Sequence, residues 1–303
     1  MTRVKSAAGA SRRALRCVSW CLAVGSFVGC SGPTEPTCPP VCPGARDYDA
    51  QSYELIGHFD WTAHRLVASE RVSLVVHPPA AKMLELDATV DVKRVHADAA
   101  DLPYVDDRDA SKLFIDVGSL HAGDAPITFN IEYEAPVSDA LRASSGRDGD
   151  PVTTRVVYTD SEPFDGRYWL PADHRPFDRA TWTVELTVAS DEDVIANGMR
   201  AKDEMQGGAR VIRYEMDKPV PTYLMAFAAG QLEHQDRTTE RVPLSVWHRR
   251  GLVFDPAETL DRVTDAMSTL RETVGPVSLG SLRGRALARI LGRHGERHDH
   301  VSR

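Results

Sequence analysis

The sequence predicts an all-β fold, an antiparallel β-sandwich or saddle-like curved sheet, followed by the start of a helical region. Short runs rich in Val, Ile, Thr and aromatics recur from Tyr53 onward, separated by Gly, Asp, Asn or Pro. No ten-residue helical period interrupts them before residue 255, which argues against a parallel βαβ design. A chain of 303 residues that is 42% hydrophobic has the material for a large core.

In chain order, Arg65 to Val76 alternates around Val67, Val72 and Leu74 and is expected as a strand. Leu84 to Ala88, Val90 to Val95, Leu113 to Val117 and Ile127 to Tyr133 follow in the same style. The later candidates are Arg155 to Thr159, Trp182 to Val188, Val211 to Met216, Tyr223 to Ala228 and Leu244 to His248. At Asp255 the period changes. Asp255 is a helix N-cap, Pro256 suits the first helical position, and Glu258 places an acid in the first turn. Leu260, Val263, Met267, Leu270 and Val274 then recur at helical spacing until Gly275-Pro276 stops the pattern.

Residues 1–29 carry Arg3, Lys5, Arg12, Arg13 and Arg16, no acid, and the apolar run Cys17 to Val28, which is too short to span a bilayer. This is the pattern of an export signal. Its end, Phe27-Val28-Gly29-Cys30, resembles a bacterial lipobox, so Cys30 is the expected lipidation site and the cell envelope the expected location. Residues 30–49 are expected to form a tether, with Cys38 and Cys42 close enough for a small disulfide. Of the whole-chain charge of −8, the signal-like segment contributes +5, leaving −13 on residues 30–303. That acidity argues against nucleic acid as a partner. Residues 277–303 instead carry six arginines and no aromatic, and read as coding sequence out of frame; a basic amphipathic helix with Leu282, Ala286 and Ile290 on one side is the other reading.

The segment most able to carry chemistry is Tyr158 to Ala180, YTDSEPFDGRYWLPADHRPFDRA, dense in rings, prolines and acids. With Trp182 to Val188, with Pro221-Thr-Tyr-Leu-Met-Ala-Phe-Ala-Ala-Gly230 and with the opening Phe59-Asp-Trp-Thr-Ala-His-Arg-Leu66, it resembles the N-terminal domain of the zinc aminopeptidase N family of gluzincins. The resemblance covers roughly residues 50 to 275 and rests on separated motifs in the family's order. It implies that Glu162 holds the free ammonium of a peptide substrate in the complete enzyme. Asp160, the second candidate for binding substrate, stands where the family usually has glutamine. If both acids lie on one strand, two apart, they point the same way. Arg167, Pro171, Asp173 and Asp178 are read as structural, Tyr168 and Trp169 as core, and His174 as a turn histidine.

The resemblance further implies a zinc ion in the complete enzyme, held by His-Glu-x-x-His and a distal glutamate after a Gly-x-Met-Glu-Asn strand. Neither motif occurs in this sequence. The nearest imitation, His294-Gly-Glu-Arg-His298 with His300, has its glutamate at the wrong offset. No catalytic residue and no bound metal are therefore expected here. Residues 50–250 are expected to be the substrate-anchoring β-domain and residues 251–276 a linker and first helix of a truncated catalytic domain. The second reading is a non-catalytic surface lipoprotein module that binds peptides or a protein partner.

Overall fold

Alternation of apolar and polar side chains along extended backbone produces sheets with one buried and one wet face, and the largest sheet shows this directly. The computed structural model describes residues 46–77, 82–120, 125–145, 153–238, 243–274 and 286–287. Cys30, Cys38, Cys42, His294, His298 and His300 lie outside the described residues.

Eight strands form the large sheet, in the order β13 (Met199–Gln206), β14 (Ala209–Val220), β11 (Ala180–Ala189), β1 (Tyr48–Asp60), β2 (Arg65–Val76), β8 (Ile127–Pro136), β4 (Asp91–Ala97) and β5 (Ala100–Asp101). All neighbours are antiparallel except β1 and β11, which run parallel with Tyr53 opposite Trp182. On β8, Ile127, Phe129, Ile131, Tyr133 and Ala135 face inward, while Thr128, Asn130, Glu132 and Glu134 face outward. Strand β1 keeps Tyr48, Ala50, Tyr53 and Leu55 all inward because a bulge between Ala50 and Ser52 resets the parity. Tyr53 and Trp182 stack with ring centroids 4.6 Å apart in the core. Burying each such ring contributes about 2–3 kcal/mol from area alone.

A four-stranded sheet packs into the same core, in the order β12 (Asp193–Ala196), β15 (Phe227–Gly230), β10 (Val156–Thr159) and β9 (Leu141–Ser144). A third sheet joins β3 (Met83–Asp87), β7 (Lys112–Asp116) and β6 (Tyr104–Asp107). The last pairs β16 (Leu232–Thr238) with β17 (Pro243–Arg249), and β17 with the two-residue β18 (Ala286–Leu287). Helix α1 (Pro256–Val274) starts as its sequence requires, since Asp255 Oδ1 accepts the backbone N–H of Ala257 at 2.9 Å. Leu260 is buried and packs with Leu244 and Val246 of β17, together with the half-buried Phe254, Val263 and Met267. The all-β fold with a helix near the end is the one the periodicity predicts.

Several particulars differ from the sequence reading. Val67 lies on the face opposite the core, and the inward set on β2 is Leu66, Ala68, Glu70, Val72, Leu74 and Val76. Tyr223 to Ala228 is not one strand. Pro221 leads into a 3-10 turn at Thr222–Leu224, and β15 begins only at Phe227. Strands β13 and β16 carry no readable period in the sequence, because both are edge strands with almost no buried side chain. Leu270 on α1 is 56% exposed.

Glu70 is the most anomalous residue in the core. It is fully buried among Leu55, Val72 and Ile131, and neither carboxyl oxygen has a hydrogen-bond partner among the described residues. Burial alone pushes its carboxyl well above the ordinary value. The Tyr133 hydroxyl on β8 is likewise unpartnered.

Candidate functional site

The loop from Asp160 to Arg179 is positioned from below by buried polar groups. Ser161 is 4% exposed; its hydroxyl donates to the Met225 carbonyl at 3.1 Å and accepts Trp169 Nε1–H at 3.0 Å. Trp169 meets Phe227 edge to face, with centroids 5.5 Å apart. The Asp165 amide closes back onto the Ser161 carbonyl, and a 3-10 turn follows over Asp165–Tyr168. Gly166 has no freedom to be anything larger: an added Cβ would lie 2.3 Å from His174 Cε1. His174 is buried beneath this turn with Nε2 bonded to the Leu170 carbonyl at 2.9 Å.

A second set of contacts clamps the far end of the loop to the sheets. Ala172 and Asp87 exchange backbone hydrogen bonds of 2.8 and 3.1 Å. Asp173, fully buried, pairs with Arg46 at 3.2 Å and with the Arg175 guanidinium, and its amide donates to the Tyr53 hydroxyl at 3.1 Å. Asp87 takes Lys112 at 2.7 Å, Arg46 at 3.0 Å and the His174 amide at 3.1 Å. Burial would raise its pKa, but these donors outweigh burial and hold it at about 2. Asp178 goes the other way. Burial, then the negative charges of Asp173 and Asp49, push it up to about 7.

On this base Glu162 stands on the exposed side, next to the buried Ser161 and before a cis peptide bond to Pro163. Its carboxylate has no ion-pair partner among the described residues. Asp160 differs, with Arg142 Nη2 at 3.9 Å from its carboxylate. Neither acid lies on a strand, because β10 ends at Thr159, so the expectation that strand geometry points them the same way is corrected. Ser161 is the buried residue between two exposed ones. Tyr168, expected in the core, is 42% exposed, whereas Trp169 is the core residue. Phe164, just before the first 3-10 turn, and Leu224, on the second, are also about half exposed, and the two turns contact each other. The exposure of these rings was not legible in a sequence whose aromatic content argues for burial. Among the described residues, no group of three or more His, Cys, Asp and Glu could hold a metal ion.

These features define an all-β scaffold domain that displays a free carboxylate on a loop anchored entirely in the core. Residues 51–224, more than half of the chain, match the family of the Peptidase M1 N-terminal domain, and the chain belongs to that family. It is 30% identical over 97 residues to "Aminopeptidase A" of Gloydius brevicauda, covering 31% of this chain and 10% of that protein. It is 28% identical over 127 residues to "Aminopeptidase 2" of Candida albicans, 41% of this chain and 13% of that one. In fold it matches native yeast LTA4 hydrolase with a TM-score of 0.61 at 20% identity, over 75% of this chain and 35% of that structure. The matched segments thus span a small part of each relative's length.

Proposed function

We propose that this domain supplies the substrate-anchoring carboxylate of an exported zinc aminopeptidase that removes N-terminal residues from peptides. The zinc and its ligands belong to a catalytic domain beyond these residues, and the chain by itself is not expected to cleave. The observation that carries the reading is Glu162: exposed, free of any partner among the described residues, and held by the Ser161, Trp169 and Met225 lock. A carboxylate in that condition receives an ammonium without first breaking an internal ion pair. The exposed Phe164 and Tyr168 on the same loop offer apolar surface for the rest of a peptide or for the domain that would face it.

The test is binding by the chain of a short peptide with a free N-terminus, followed by amide NMR. Shifts around Ser161 to Gly166 are expected, with about tenfold weaker binding for the acetylated peptide and for Glu162→Gln. Equal binding of the free and acetylated peptides would overturn the assignment, as would undiminished binding by Glu162→Gln.

Export rests on the basic and then apolar segment before Cys30. Mass spectrometry of the membrane fraction should find a mature N-terminus that begins at a lipid-modified Cys30; an unmodified N-terminus would exclude the anchor.

A further inference from the structure

Between the large sheet and the four-stranded sheet the structure forms a half-open pocket of about 520 Å3. Its walls are Phe59 and Trp61 from the β1–β2 hairpin, Leu186 and Val188 of β11, and Val157 and Phe227 of the small sheet. The space exists because small residues stand where large ones would close it. Ala189, Ala209 and Ala229 line it, and a Cβ added at Gly207 or Gly208 in the β13–β14 turn would meet nothing within 4 Å. That size is within the range of small-molecule sites.

One charged group at this cavity has unused capacity. Arg155 immediately precedes β10, and its guanidinium carbon lies 5.1 Å from the Trp61 ring centroid. Its Nε donates to Glu192 Oε1 at 2.5 Å, and both Nη groups are without a partner among the described residues. Glu192 is 3% exposed and its other oxygen is taken by the Ala189 amide at 2.9 Å. Both oxygens of the acid are therefore engaged, while the outer edge of the guanidinium is held in place with its donors open among the described residues. That edge matches a carboxylate in two-pronged geometry.

We propose that this cavity binds a small amphipathic monocarboxylate, with its carboxylate on the Nη edge of Arg155 and its apolar body between the two sheets. A zwitterionic amino acid is disfavoured, since its ammonium would lie against apolar walls and a glutamate already in use. The site is separate from Glu162, which follows β10 where Arg155 precedes it.

The probe is 4-phenylbutyrate, titrated into the full chain by calorimetry and amide NMR. Saturable binding is expected, with shifts centred on Trp61, Arg155 and Leu186. The uncharged 4-phenylbutyramide should bind at least about tenfold more weakly. Ala209→Trp, which fills the cavity from the edge of β14, should abolish binding while circular dichroism and melting report a native fold. Replacing both Arg155→Gln and Glu192→Gln, so that no buried acid is left unpaired, should erase the preference for the acid over the amide. Lack of saturation, equal affinity for acid and amide, or undiminished binding by Ala209→Trp would each overturn the proposal.

Discussion

Asp173→Ala is expected to lower folding stability by about 3–5 kcal/mol, because it strips two guanidinium groups of a buried partner. Arg46 is 10% exposed and Arg175 21%, so neither recovers full hydration when the carboxylate goes. The substitution also removes a helper from the loop that carries Glu162, since the Arg175 amide is bonded to the same side chain at 3.0 Å. Urea unfolding gives the magnitude, and a loss below about 1 kcal/mol would show the cluster to be no stronger than a surface pair. A second readout is local. After burial, the Asp173 charge is the largest influence raising Asp178, so the Asp178 carboxyl should titrate below its value of about 7 in the variant. Carbon-13 NMR of the carboxyl follows that change, and an unmoved Asp178 would contradict the assigned cause.

Glu70→Met should stabilise the protein by about 2–4 kcal/mol at neutral pH, because an unpartnered buried acid is replaced by an apolar chain of similar volume. The sign with pH follows from the raised folded pKa. Between the ordinary value of 4.5 and its higher folded value, the folded state holds a proton that the unfolded chain has released. Stability of the parent therefore falls as pH rises through that window, by up to about 1.4 kcal/mol per unit. The variant lacks this fall, so its advantage is smallest near pH 4 and widens toward pH 8. Asp178 produces a parallel decline up to about pH 7, but it is common to both proteins and cancels in the difference. Thermal melts of the pair across this range decide the matter; a gap that narrows with rising pH would refute it.

Strand periodicity was legible wherever one face is buried, as on β8 and β11, because the inward residues repeat every second position. It failed where another effect sets the structure. The bulge after Ala50 shifts parity within β1, and no composition signal announces it. On β2 the pattern suggested Val67 as an inward residue, while the residues truly inward include Glu70, which no hydrophobic template would select. The exposed β13 leaves no period to read. For the site, Glu162 as the displayed acid could be anticipated from the resemblance, and Trp169 as core from its apolar bulk, although the same reading failed for Tyr168. The Ser161 lock could not, since it depends on Met225, 64 residues away. The cavity was invisible for the opposite reason: it is made by alanines and glycines, which carry no signal of what they leave empty.

The contact between Gly166 and the His174 ring gives the loop a particular vulnerability. Any side chain at residue 166 must displace a ring that is itself wedged under Leu170, and the movement would pass along the backbone to Ser161 and its neighbour. On the role proposed for Glu162, its placement therefore depends on residues that never meet a ligand. A change deep in this packing would register first as a displaced Glu162, in a protein that still melts as a single folded body.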